Sequence, residues 1–346
     1  MNRLLIIIGI VIIGVSCRKD LDSAAERTDY FVKFIGTSHD QEGEAVVENV
    51  LGELYIIGKT SKEDLINQQT YTSMYLTKTT SSGEVIWSQS YNDTDTSGFF
   101  RNVEGVSLQF TQDGGLILYG TSVERGGSEA YTLLIKVDLN GNVLWRQKHQ
   151  FDTKSYANYV YSLNDGSGYL LVGYNSNDTT GRELYIARTR IDGSVDSPNA
   201  QDSWVINKSG STGDSYIEAS RVIEHNGQYV IVGSSNEAFS SNITQAGINA
   251  IVFTVYPNAL FGPKRTFGGL NDDFGYDIKR LSNGKFVVLG TTNSYSNIGS
   301  QDCFIVELDD PTSDPNNGYH TFGTVNSDWG YQMVVNADNS VTVCGS

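Results

Sequence analysis

Five aspartates sit just ahead of apolar, strand-like runs: Asp40, Asp214, Asp272, Asp273 and Asp328. Carboxylates repeated at one end of a structural unit have two uses. They cap the turn that leads into the strand, or they form an acidic rim that recruits cations or cationic ligands. The spacing leaves both open. Aromatic residues stand at or near the same leading ends, namely Tyr156, Tyr216, Trp329 and Tyr331. Their flat faces suit a ligand-facing surface, including one that stacks on sugar rings. Trp87, Trp145 and Trp204 differ, because they recur at one position of a repeat and so are expected to pack between units.

Other chemistry is missing from the sequence. His39, His149, His225 and His320 are far apart and none has a second metal-type ligand at helical spacing, so no metal is expected. There is no His-Glu-x-x-His, paired Cys-x-x-Cys, phosphate loop or Gly-x-Ser-x-Gly, and no cofactor is expected. Asp138-Leu139-Asn140-Gly141-Asn142 resembles the start of a calcium loop, but its downstream acidic ligand is missing and its spacing is that of a hairpin turn. A formal net charge of −16 excludes nucleic-acid binding by phosphate neutralisation. Cys303 and Cys344 lie on apolar runs and read as buried free thiols.

The elements that hold these residues are strands. With 36 glycines, only 5 prolines and 20 tyrosines, the chain reads as short β-strands joined by tight turns. One phrase recurs six times: four or five apolar residues that end in glycine. The terminal glycines are Gly58, Gly120, Gly173, Gly233, Gly290 and Gly345, about 57 residues apart. Each apolar run is preceded by another strand, in one case through an Asn283-Gly284 turn that is a strong hairpin signal. A third strand follows in the first five copies, and Asn140-Gly141 leads into a fourth, Val143-Leu144-Trp145. Four antiparallel strands per repeat predict an all-β fold, a six-bladed β-propeller of four-stranded antiparallel blades over residues 29–346.

The stretches Ile135-Lys136-Val137-Asp138-Leu139-Asn140-Gly141-Asn142 and Phe267-Gly268-Gly269-Leu270-Asn271-Asp272-Asp273-Phe274-Gly275-Tyr276 resemble the bacterial SBBP-type beta-propeller repeat and its Bacteroidetes lipoprotein relatives. The resemblance covers all six units, more loosely in the third and fourth. It implies a propeller and no shared catalytic residue. The sixth unit stops after its second strand at Ser346, so it is expected to be incomplete, with the natural chain continuing or with a three-stranded last blade. Tyr30-Phe31-Val32-Lys33-Phe34-Ile35-Gly36 stands where a fourth strand belongs and is expected to close that last blade.

Residues 1–16 read as an export signal: Arg3, then an uncharged apolar run from Leu4 to Val15, too short to span a bilayer. Ile13-Gly14-Val15-Ser16-Cys17 resembles a bacterial lipobox, with Gly14 where the usual pattern has Leu. The resemblance implies a lipid on Cys17 and a tether over residues 17–28. Arg18-Lys19-Asp20-Leu21-Asp22 is similar to the surface-export signal of Bacteroidetes lipoproteins. The expectation is a monomeric lipoprotein of the cell envelope, anchored in the outer membrane and surface-exposed. Its propeller is expected to bind a protein or glycan partner without catalysis. The alternative is a propeller enzyme that acts on polysaccharide through acids near the central channel.

Overall fold

The structure, a computed structural model, describes residues 35–36, 39–177, 181–195, 202–208, 216–237, 247–296 and 300–346. The export signal, Cys17, the tether, Tyr30–Phe34 and Asp214 therefore lie outside the described residues. Among the described residues no helix is long and apolar enough to cross a membrane.

Strands account for the regular structure. The first sheet is β1 (Gln41–Glu48), β2 (Leu54–Asp64), β3 (Gln69–Thr79) and β4 (Val85–Tyr91). The second is β5 (Asn102–Phe110), β6 (Leu116–Val123), β7 (Ala130–Val137) and β8 (Val143–His149). The third is β9 (Ser155–Ser162), β10 (Gly168–Asn177), β11 (Gly181–Arg190) and β12 (Trp204–Lys208). The fourth is β13 (Ile217–His225), β14 (Gln228–Ser235), β15 (Asn249–Val255) and β16 (Phe261–Phe267). The fifth is β17 (Asp273–Arg280), β18 (Phe286–Thr292), β19 (Asp302–Leu308) and β20 (His320–Phe322). The last is a two-stranded sheet, β21 (Gly330–Val335) and β22 (Val341–Gly345). Each four-stranded sheet is an antiparallel meander in chain order, and each sheet's first strand packs against the next sheet's first strand.

The apolar runs found in the sequence are the second strands, and they are apolar throughout because both of their faces are covered. Alternate side chains point to opposite faces. Leu116 and Leu118 of β6 join the core with the first sheet, while Ile117 and Tyr119 join the core with the third. Five such clusters couple the six sheets in sequence. The described residues give no comparable cluster between the two-stranded sheet and the first. There Val46, Tyr331 and Val334 stay about half exposed. Cys303 is buried as expected, but Cys344 is exposed, because among the described residues β22 has no third strand beside it.

The tryptophans pack between sheets. Trp87 and Trp145 lie against Gly141 and Gly193, the positive-φ residues of the next sheet's turns, where a Cβ would press on the indoles. Buried Trp204 donates its indole N–H to Pro257 O at 2.8 Å. Asp138 accepts from Asn140 N and Asn142 N at 2.9 and 2.8 Å, so its loop is a capped turn.

The recurring glycine has a cause. Every first strand carries one extra residue opposite the second strand, a β-bulge, just after a small residue paired with that glycine. The pairs are Gly43–Gly58, Gly105–Gly120, Ala157–Gly173, Ala219–Gly233, Gly275–Gly290 and Gly330–Gly345. A Cβ on these six second-strand glycines would fall on the carbonyl oxygens of Glu42, Glu104, Tyr156, Glu218, Phe274 and Trp329 respectively. Only glycine leaves room for that carbonyl.

Candidate functional site

The bulge puts two side chains of every first strand, one before and one after the small residue, at equivalent places on the inner strands. In chain order these are Glu42 and Glu44, Glu104 and Val106, Tyr156 and Asn158, Glu218 and Ser220, Phe274 and Tyr276, and Trp329 and Tyr331. One arc of this rim is acidic and the other is largely aromatic.

On the acidic arc Lys59 of β2, next to Gly58, reaches Glu42 at 2.9 Å and Glu104 of the second sheet at 3.8 Å. Both carboxylates share one ammonium, and the hydrogen bond to Glu42 holds that ammonium's pKa above its usual value. Burial in this crowd lifts the Glu44 carboxyl above the ordinary glutamate range, and repulsion from Glu42 adds to it. Lys59 opposes the shift in part, and Glu104 adds a further small push. Glu44 still has solvent access at the rim. A carboxyl of raised pKa beside other carboxylates is the arrangement that separates a proton donor from an ionised partner.

On the aromatic arc Tyr156 stacks on Tyr174 with ring centres 5.0 Å apart. The Arg182 guanidinium lies 4.3 Å over the Tyr174 ring and 5.2 Å over the Tyr216 ring. Arg182 also pairs with Glu218. Tyr216 donates its hydroxyl to Glu218 at 2.7 Å and accepts from Arg182 at 3.1 Å. Burial alone would lower the Arg182 pKa, but Glu218 and the two tyrosines outweigh it and raise it. Tyr216 then meets Phe274 edge-on at 6.2 Å, Phe274 lies 6.4 Å from Tyr276, and Tyr276 meets Tyr331 at 5.6 Å. Under this arc Tyr119 and Tyr185 share a buried hydroxyl contact at 2.7 Å, and Tyr185 donates to Tyr156 O at 2.8 Å.

The residues expected from sequence take several places. Tyr156, Trp329 and Tyr331 occupy rim positions by register, and Tyr216 joins them through Glu218. Asp273 is fully buried. It accepts from Gly269 N at 2.8 Å, Ser294 Oγ at 2.7 Å, Ser294 N at 3.3 Å and Thr292 Oγ1, so it ties the leading loop to the strand end. Asp328, its counterpart in the last sheet, caps Thr324 through N at 2.7 Å and Oγ1 at 3.0 Å. Asp272 accepts from Ile248 N at 2.9 Å. Asp40 is exposed, two residues before Glu42. The described aspartates thus include two turn caps, Asp273 and Asp328, and one, Asp272, that ties in the end of the β14–β15 connection, and the rim carboxylates belong to glutamates that lie inside the strands. Their signal was present in the sequence as Glu-Gly-Glu, Glu-Gly-Val and Glu-Ala-Ser, each opposite a recurring glycine.

Among the described residues no group of three or more His, Cys, Asp or Glu side chains could hold a metal ion. A groove of about 430 Å³ lies beside the acidic arc, lined by His39, Gln41, Thr60, Lys62, Tyr75 and Ser90 among others.

No known protein family and no curated protein matches the chain. Solved structures of similar shape include an α-L-arabinanase of Penicillium chrysogenum complexed with arabinobiose, at 11% identity and a TM-score of 0.48. That match covers 65% of this chain and 73% of the arabinanase. An endo-arabinase from Bacteroides thetaiotaomicron matches at 12% identity and a TM-score of 0.40, over 80% and 95% of the two chains. Drosophila Plexin A in complex with Semaphorin 1b matches at 12% identity and a TM-score of 0.41, over 79% and 52%. Likenesses this distant carry no activity to the chain. The expectation of binding without catalysis rests on a lack of grouped catalytic residues, and the chain's own geometry corrects it. The acidic arc supplies grouped carboxylates that the sequence does not reveal. The non-catalytic scaffold is therefore set aside.

Proposed function

We propose that this chain is a β-propeller enzyme that cleaves glycosidic bonds at the acidic arc. Glu44 gives its proton to the leaving sugar oxygen as the glycosidic bond breaks, water adds to the anomeric carbon, and Glu104, across from the first sheet on the second, takes the proton that the water loses. The observation that carries the reading is the grouping of carboxylates from two sheets about one ammonium, Lys59 reaching Glu42 at 2.9 Å and Glu104 at 3.8 Å, with the Glu44 carboxyl held above the ordinary glutamate range beside them. Glycoside hydrolysis needs such a pair, one carboxyl protonated and one ionised, flanking the bond. The adjoining aromatic arc offers faces on which sugar rings can stack.

In the finer form of this reading the sheets are blades of a six-bladed propeller, with Tyr30–Gly36 as the closing strand of the last. The support is the chain's habit of passing within a few residues from a sheet's outer strand to the next sheet's first strand, as from Phe267 to Asp273. Deletion of residues 29–36 should then speed amide exchange in β22, and unchanged exchange there rejects the closure. The anchor is proposed as a lipid on Cys17 that holds the enzyme on the outer face of the outer membrane. Labelled palmitate should enter the wild-type chain and not Cys17→Ser, and equal labelling rejects it.

The activity is tested with the full-length chain in detergent on a panel of neutral polysaccharides, by release of reducing ends. Glu44→Gln should lower turnover by about 10²- to 10⁴-fold, with an unchanged melting curve because the side chain is at the solvent-facing rim. No release by the wild-type chain, or full release by Glu44→Gln, defeats the proposal.

A further inference from the structure

The rim carries an uneven charge. Its acidic arc holds Glu42, Glu44 and Glu104 against one lysine, Lys59. On its aromatic arc the Arg182 guanidinium is taken by Glu218 and lies between two tyrosine rings. In the described ion pairs of the rim both cations, Lys59 and Arg182, are held by glutamates. Beyond Arg182 the aromatic arc runs through Phe274 and Tyr276 to Tyr331, a residue 46% exposed. Such a row offers flat apolar faces and phenol hydroxyls, which match the apolar faces and hydroxyl edges of a sugar chain.

From this we infer that the enzyme selects uncharged glycan chains, the aromatic arc binding sugar units away from the bond that is cut and the acidic arc rejecting uronates. This rests on the glycan-cleaving reading given above. Stacking supplies attraction that does not depend on charge. Glu42 and Glu104 supply the repulsive element, since a uronate brought beside them meets like charge at close range. Glu42 and Glu104 are specificity residues in this account, and Tyr276 and Tyr331 are contact residues.

Binding by the full-length chain decides it, measured by calorimetry at low and high salt. The probes are xylo-, arabino- and galacto-oligosaccharides on one side and oligogalacturonate on the other. At least one neutral series should bind and oligogalacturonate should not. Tyr276→Ala and Tyr331→Ala should each weaken neutral binding about three- to tenfold. The double change Glu42→Gln with Glu104→Gln should admit oligogalacturonate, and high salt should do so in part. Both glutamates are well exposed, with side-chain exposures of 60% and 40%, so this variant should keep its fold. Oligogalacturonate bound as tightly as the neutral series by the wild-type chain overturns the inference alone, as do tyrosine variants of unchanged affinity. Silence on every sugar overturns the glycan-cleaving reading, and the inference with it.

Discussion

The two arcs of the rim are built on the same backbone and differ in what surrounds them. Lys59 with Glu42 and Glu104, and Arg182 with Glu218, look alike as ion pairs drawn across neighbouring sheets. Their settings are opposite. Glu42 and Glu104 have exposed carboxylates, whereas the Glu218 side chain is 9% exposed and lies among tyrosines. The second and third sheets are packed on both faces, while among the described residues the first has a core cluster on one face only. A pair in water contributes little to stability and leaves its groups free for chemistry. A pair buried between packed sheets fixes geometry, and breaking it strands a charge. In the proposed reading the acidic arc reacts and the aromatic arc holds.

The change that should erase the comparison is Gly120→Ala, because it strikes the backbone device common to both arcs. Its Cβ meets the Glu104 carbonyl and the Met74 side chain, and the expected loss is about 3 kcal/mol by denaturant melting. The same change at Gly345 should cost clearly less, because among the described residues β22 pairs with β21 alone. Equal losses at the two sites would show that packing on both faces does not make the device rigid.

Arg182→Ala should cost about 2 kcal/mol, below the range for a fully buried pair because the arginine side chain is itself 41% exposed. Denaturant unfolding measures it, and a cost no larger than that of Lys59→Met would remove the distinction between the arcs. Tyr185→Phe should cost about 1 kcal/mol, since it takes a donor from Tyr156 O and a partner from buried Tyr119. The double-mutant cycle with Tyr119→Phe should show coupling between the two hydroxyls, and simple additivity would argue against a shared network.

Lys59→Met should give the smallest stability change, below about 0.5 kcal/mol, yet it should move the pH dependence. Lys59 lowers the Glu44 pKa, so its removal raises that pKa further. Glu44 must be protonated to act as the acid. Turnover therefore falls as pH rises through the raised pKa, and Lys59→Met should carry that alkaline limb to higher pH. A limb that stays in place or moves down would separate Glu44 from the titration.

Much of the fold was legible because the demands on it are local. Strands covered on both faces must be apolar throughout, so Leu116–Tyr119 and its counterparts stood out. The recurring glycines marked the places where a carbonyl crosses close to the neighbouring strand. The packing role of Trp87, Trp145 and Trp204 followed from their repeated position. The rim was harder to find. Asp272, Asp273 and Asp328 drew attention as acids ahead of strands, yet two of them cap turns and Asp272 ties in the end of the β14–β15 connection. The residues that face the site lie one step before and after the bulge. One inserted residue reverses the strict alternation by which a strand's faces are normally read.

Read along the chain alone, the residues establish a repeated β-strand unit, its glycine positions and an acidic, strand-rich composition. Those features follow from the chemistry of single residues and their nearest neighbours. Only the tertiary structure decided that glutamates from two sheets share one lysine, and that Arg182 is spent on Glu218 between two tyrosine rings. Such contacts join residues far apart in the chain, and their energy depends on the burial that surrounds them. That information is held by the packing of sheet on sheet, and no local pattern records it.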